Sequence, residues 1–178
     1  KHELPGVSIE VEPLRYYPYN TLASQLLGYV GEVSEDELNE IKAENPETLV
    51  GPGTILGRSG LEKMYDDTLR GIDGGKQVEV DASGRPVAEV GRKDTIPGRD
   101  IHLTIDLPLQ KAAEKAVANQ IASLRAQGIP ARGAAVVAMD PNTGAILAMV
   151  SAPGFDPNWF ARGITSAQWN MLNNDTNH

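Results

Sequence analysis

The chain has 178 residues, 40% of them hydrophobic, which is enough for one or two domains with a modest core. A net charge of −8 with no run of basic residues excludes a nucleic-acid partner, and the absence of cysteine excludes disulfides, thiolate metal sites and a cysteine nucleophile. No stretch approaches the ~18 apolar residues of a membrane span; the most apolar run, Ile146 to Val150, is far too short.

Val7 to Val11 alternates apolar and polar residues and reads as a short strand. The cluster Arg15-Tyr16-Tyr17-Pro18-Tyr19 follows. Thr21 to Val30 sets Leu22, Leu26, Leu27 and Val30 on one helical face, interrupted by Gly28. Ser34 and Glu37 have the spacing of a capping box, so a helix is expected there. It carries only Leu38 and Ile41 as apolar contacts and ends before Pro46. Thr48 to Gly57 reads as a Gly/Pro-rich loop. Ser59 and Glu62 predict a second capping box, and Leu61, Met64, Tyr65 and Leu69 the apolar face of its helix, closed by Gly71.

Gln77 to Asp81 and Pro86 to Val90 alternate on either side of Ser83-Gly84 and predict a hairpin. Asp100 to Ile105 reads as another strand. Asp106 can cap a long helix that tolerates Pro108 in its first turn. Its expected apolar stripe is Leu109, Ala112, Ala113, Ala116, Val117, Ile121 and Leu124, with Gly128 and Pro130 ending it. Ala134 to Met139 and Ala145 to Val150 are apolar strands joined by Asp140-Pro141-Asn142-Thr143-Gly144, whose residues favour a turn. A last helix starts at Ser166 and is expected to bury Trp169 and Leu172. The fold class is α+β: short strands and helices up to a boundary near Gly98, then strand, long helix and apolar hairpin, the opening of an α/β sandwich. No internal repeat or low-complexity tract occurs.

The search for chemistry begins with serine. The signature Ser-x-x-Lys sets an amine one helical turn from the hydroxyl, with Ser-x-Asn and Lys-Thr-Gly elsewhere. None of the three occurs in the chain. Ser59 with Lys63 is one position too long, and Ser59 is better read as a helix cap. Gly51-x-Gly53 and Gly57-x-x-Gly60 resemble parts of phosphate-loop fingerprints but lack the Gly-Lys-Ser/Thr that would follow. Asp66 and Asp67 are adjacent and do not converge, and Asp140 and Asp156 fall at turns, so capping roles are expected of them. The acidic run Glu35-Asp36-Glu37 is too short for a tail. His2, His102 and His178 are too scattered for a zinc site. The tyrosines around Arg15 suit packing on a strand edge or interdomain seam better than base stacking, for which one Arg is poor support. No catalytic residue, metal ligand or cofactor-binding residue is assigned on these grounds.

The order of motifs adds a resemblance. Arg15-Tyr16-Tyr17-Pro18-Tyr19 and Leu27-Gly28-Tyr29-Val30-Gly31 resemble the non-catalytic pedestal of class B penicillin-binding proteins. Gly57-Arg58-Ser59-Gly60-Leu61-Glu62-Lys63 with Leu69-Arg70-Gly71 is similar to their Gly-x-x-Gly-Leu-Glu helix, and Val80-Asp81-x-x-Gly84-Arg85 to the hairpin after it. Leu103-Thr104-Ile105-Asp106 with Leu109-Gln110 resembles the entry into the transpeptidase domain. The run Asp140-Pro141-Asn142-Thr143-Gly144-Ala145-Ile146-Leu147-Ala148-Met149-Val150-Ser151 is similar to that domain's first hairpin. Phe155-Asp156-Pro157-Asn158-x-Phe160 is similar to the next loop, in the form of the elongation type.

The resemblance implies residues 1–98 as a partner-docking pedestal and 99–178 as the start of a transpeptidase domain. It implies an interior piece of a longer protein, with a head region and single-pass inner-membrane anchor before Lys1 and the catalytic Ser-x-x-Lys beyond His178. The parent is expected to face the periplasm and cross-link peptidoglycan stem peptides through an acyl-serine that β-lactams also form. Its expected partners are elongation-complex proteins such as a membrane glycosyltransferase and a rod-shape scaffold protein. The alternative is a non-catalytic scaffold or docking module. Ala134–Met139 and Ala145–Val150 are expected to expose apolar surface unless another chain covers it.

Overall fold

A computed structural model describes residues 14–46, 50–72, 74–82 and 86–174. The expected strand over Val7–Val11 and the Ser83-Gly84 turn lie outside the described residues.

Strand β1 (Val30–Glu32) pairs antiparallel with β2 (Ile55–Gly57). Between them runs helix α2 (Glu35–Glu44), and its predicted capping box forms: Glu37 N–H donates to Ser34 Oγ, and Ser34 N–H to the Glu37 carboxylate. Leu38 points inward with Val33 and Val50, flanked by Ile41 and Leu56. The charged remainder of α2 faces water, as its sequence predicts.

Several expectations fail nearby. The helix predicted over 21–30 shrinks to α1 (Ser24–Leu27), and Val30 enters β1. Ala23, at φ 53°, stops the helix from starting earlier, and Gly28, at φ 80°, ends it. Gly28 is also a contact: a Cβ there would sit 1.9 Å from the Ser59 carbonyl oxygen. The loop predicted over 48–57 contains β2 at its end, because β1 offers a partner that local composition does not reveal. The helix predicted after Ser59 breaks at Tyr65 (φ −117°, ψ 24°) into α3 (Gly60–Met64) and α4 (Asp66–Arg70). Ser59 makes no capping hydrogen bond, and the Glu62 carboxylate that would complete the box accepts from the Tyr17 phenol instead. Met64 and Tyr65 are exposed rather than packed.

The hairpin forms as β3 (Gly75–Val80) and β4 (Pro86–Lys93), antiparallel with two irregularities in register. A bridge between Ile72 and Ile96 closes its base. Asp106 caps α5 (Leu107–Ala126) by accepting from Leu109 N–H, with Pro108 in the first turn. The second hairpin joins β5 (Ala134–Met139) to β6 (Ile146–Ala152), against which α5 packs. Two short helices follow, α6 (Asn158–Ala161) and α7 (Ser166–Asn173).

The stripe on α5 is rotated from the expected one. Gln110 and Val117 are buried, whereas Leu109, Ala112 and Ala116 are exposed. The segment Asp100–Ile105 is not a ladder strand. It ends beside β6, where Thr104 Oγ1 donates to the Ile146 carbonyl (2.6 Å) and Asp106 N–H to that of Leu147 (2.8 Å). On α7, Trp169 is 49% exposed rather than buried, because no other described element covers that face.

Candidate functional site

The motif residues take structural places. Ser59 meets Lys63 only through the backbone, Lys63 N–H donating to the Ser59 carbonyl at 3.1 Å. Gly57 serves close packing: a Cβ there would lie 2.0 Å from the Glu62 carbonyl oxygen. Asp66 accepts from Gly57 N–H (2.7 Å) and pairs with Arg70, while Asp67 is exposed. Asp140 accepts from Asn142 N–H and Thr143 Oγ1, both at 2.9 Å, and these bonds hold its carboxyl below the usual range. Asp156 accepts from Asn158 N–H at 3.0 Å in the turn that leads into α6, whose N-cap is Pro157. His102 is exposed; His2 and His178 lie outside the described residues.

What the fold does bring together is a seam between the Arg15–Tyr19 cluster, α3 and the loop around α6. Tyr17 is its centre and is buried with Val30 and Ala161. Asn158 treats the Tyr17 backbone as a strand neighbour would. Tyr17 N–H donates to Asn158 Oδ1 and Asn158 Nδ2 donates to the Tyr17 carbonyl, both at 3.0 Å. The Tyr17 phenol donates to Glu62 Oε1 (3.0 Å), which also pairs with Arg15 Nε at 3.1 Å. Burial, reinforced by the Glu62 charge, pushes the phenol's pKa up. Glu62 itself is 8% exposed, and Arg15 balances its charge within the seam. Tyr16 and Tyr19 remain exposed, and Lys111 Nζ lies 4.3 Å from the Tyr19 ring centroid.

An aromatic cluster closes the seam. Tyr29 stacks on Phe160 at 4.0 Å between centroids, and Phe155 meets both edge-on at 5.8 and 5.7 Å. A cleft of about 230 Å³ opens beside it, lined by Ser24, Glu114, Val117 and Ser151 among others. That is below the ~300 Å³ at which ligand pockets begin.

The second hairpin has two unlike edges. Gln110, fully buried, binds the outer edge of β6: Met149 N–H donates to Gln110 Oε1 (2.8 Å), and Gln110 Nε2 donates to the Met149 carbonyl (2.9 Å). The outer edge of β5 pairs with no other strand among the described residues. Val136, Val137 and Met139 on β5 are 39%, 59% and 57% exposed, so the expected uncovered apolar surface is present.

Sequence reasoning missed Gln110 and Asn158. A polar residue in register with Val117, Ile121 and Leu124 on α5 was the available signal for the first. Asn158 lay in the Asp-Pro-Asn motif, but nothing local names Tyr17 as its partner. Chemically, this arrangement grips backbone and excludes water. Among the described residues no serine hydroxyl is hydrogen-bonded to a lysine or histidine side chain.

The family profile of the penicillin-binding protein dimerisation domain matches residues 1–103. The chain belongs to the penicillin-binding protein family. Peptidoglycan D,D-transpeptidase MrdA of Acinetobacter baumannii is 38% identical over 172 residues, covering 97% of this chain and 23% of that relative. MrdA of Escherichia coli K12 is 33% identical over 177 residues, covering 99% of this chain and 26% of the relative. Penicillin-binding protein 3 of Bacillus subtilis is 36% identical over 175 residues, covering 98% and 23%. This penicillin-binding protein chain therefore spans about a quarter of the length of the curated relatives it matches.

Two solved structures share the fold. The complex of penicillin-binding protein PBP2 and MreC from Helicobacter pylori superposes with a TM-score of 0.66 at 32% identity, over 92% of this chain and 27% of that one. Pseudomonas aeruginosa PBP2 in complex with WCK 5153 gives a TM-score of 0.66 at 35% identity, over 92% and 29%. The mixed helix-and-strand architecture expected from the sequence is thus that of PBP2.

Proposed function

We propose that this chain is part of an elongation-type peptidoglycan D,D-transpeptidase, supplying its pedestal and the opening of its catalytic domain. The observation that carries this reading is the end-to-end similarity to proteins named D,D-transpeptidase MrdA, at 33% identity or more over nearly every residue. Division near Gly98 into residues 1–98 and 99–178 belongs to the same reading. The uncovered β5 supports it, since an apolar edge strand calls for further sheet or helix. On this reading the parent cross-links stem peptides through an acyl-serine, and a β-lactam acylates the same hydroxyl. The Ser-x-x-Lys that provides it is no part of these 178 residues. The chain's own residues orient that domain through the seam and perform no chemical step.

The partner and localisation readings rest on the relatives. The Helicobacter pylori PBP2 structure contains MreC, which supports a protein partner from the elongation machinery docking on residues 1–98. A membrane glycosyltransferase as second partner, an inner-membrane anchor and a periplasmic setting follow from the same kinship. The hairpin of β3 and β4 favours the docking role: Val87 and Val90 are exposed, and an isolated two-stranded ribbon is marginal in water.

Labelling with a fluorescent penicillin, read by intact mass, tests the reading. The 178-residue chain should gain no adduct, and the longer protein that contains it should gain one. An adduct on the 178-residue chain, or none on the longer protein, would overturn it.

A further inference from the structure

The segment 17–25 is held at several points by residues from far along the chain. Asn158 binds both backbone groups of Tyr17. Ala23 N–H donates to Glu114 Oε1 at 2.7 Å, Phe155 N–H to Ser24 Oγ at 3.2 Å, and Gln25 Nε2 to the Pro153 carbonyl at 3.2 Å. Within this segment two residues that are not glycine take left-handed backbone, Asn20 at φ 51° and Ala23 at φ 53°. Asn tolerates that region, but Ala does so at a cost. A strained conformation persists only where its surroundings over-determine it. The surroundings here are α5 and the loop after β6.

The contact carries its own small cluster of Tyr17, Val30 and Ala161 and lies between two further cores. One is the cluster of Val33, Leu38 and Val50 under α2. The other is the packing of α5 on β6, with Val117 and Val150 buried. Besides the aromatic cluster and the buried apolar contact of Tyr17, Val30 and Ala161, the seam joins them by directional polar bonds, of which those between Asn158 and Tyr17 are buried. We infer that residues 17–25 form a strained latch that makes these two cores one cooperative body, with Asn158 as its positioning residue. This inference stands on the geometry of the seam and does not depend on the proposed function. When Asn158 is truncated, the Tyr17 N–H loses its partner inside a closed site while its carbonyl keeps only the Asn20 N–H (3.1 Å), and the latch can relax toward right-handed backbone at Ala23.

Urea unfolding of the 178-residue chain tests this. The Met149 amide, held by Gln110 and followed by hydrogen exchange across the urea series, reports the second core, while far-UV circular dichroism reports the whole chain. The wild-type transitions should coincide. In Asn158→Ala they should separate, giving two midpoints. Ala23→Gly should raise the single midpoint and keep the transitions coincident, because glycine accepts the left-handed backbone without strain. If Asn158→Ala does not fold, Asn158→Asp, which removes the donor to the Tyr17 carbonyl, is read in the same way. Transitions that stay coincident in the Asn158 variant while its midpoint falls would assign Asn158 a merely stabilising role and overturn the latch. Separate transitions in the wild type would overturn it as well.

Discussion

The two edges of the β5–β6 hairpin have the same apolar composition and opposite fates. The β6 edge is closed from within the chain. Thr104 and Asp106 bond to Ile146 and Leu147, and the buried Gln110 amide takes both backbone groups of Met149. On β6, Ala148 is fully buried and Val150 nearly so. The β5 edge has no neighbouring strand among the described residues, and Val137 and Met139 face water. Met149 turns its N–H and carbonyl away from β5, so Val137, which lies opposite it, turns its own outward as well. Apolar residues therefore do not by themselves make a sheet edge buried. A directional partner closes β6, and nothing among the described residues does the same for β5.

The largest expected effect comes from opening the closed edge. Gln110→Ala leaves the Met149 N–H and carbonyl unpaired in a buried place and should cost about 2–4 kcal/mol in chemical denaturation. A cost below about 1 kcal/mol would mean that water closes the edge as well as the amide does.

Tyr17→Phe should cost less, about 1–2 kcal/mol, because it removes one hydrogen bond to a charged acceptor while Arg15 still pairs with Glu62. It should also change the alkaline limb. Burial raises the folded-state pKa of the phenol above its ordinary 10.0, so the folded chain holds this proton more tightly than the unfolded one. That contribution is complete below pH 10 and is lost as pH rises beyond it. Stability measured from pH 9 upward should therefore fall less steeply in Tyr17→Phe than in the wild type.

A smaller effect is expected at Glu37. Hydrogen bonds, first from Arg58 and then from Ser34, pull its carboxyl from its ordinary 4.5 down to about 2. The charged form is the one the fold prefers, so its contribution is present above pH 4.5 and fades as pH falls toward 2. The stability difference between wild type and Glu37→Gln should shrink through that window and be flat above it.

The smallest effect belongs to the open edge. Val137→Lys should change stability by no more than about 0.5 kcal/mol, because the side chain is already in water. It should lower the binding of a hydrophobic dye, since it replaces an exposed apolar side chain of β5 by a charged one.

The legible parts of the fold were the local ones. Ser34 with Glu37 and Asp106 with Leu109 fix helix starts through contacts three residues apart. Alternation on both sides of a turn predicted the hairpin β3–β4, and two apolar runs joined by turn residues predicted β5–β6. Long-range partners were not legible. Glu62 has the spacing of a capping residue but reaches Tyr17, 45 positions away. Asn158 binds a backbone 141 positions away, and no periodicity records that. Ala23 in left-handed backbone could not be read, since alanine favours the helix that was expected there. The family motifs carried more of the site than patterning did. They flagged Tyr17, Glu62 and Asn158 as parts of separate segments, and the fold shows them to be one contact.

Hydrogen exchange of two backbone amides, Met149 on β6 and Val137 on β5, tests the central contrast most directly. In the 178-residue chain the Met149 amide should exchange slowly and the Val137 amide fast. In the longer transpeptidase proposed to contain this chain, Val137 should become as protected as Met149. A Val137 amide already as slow as Met149 in the 178-residue chain, or one that stays fast in the longer protein, would contradict an edge that awaits the rest of its domain.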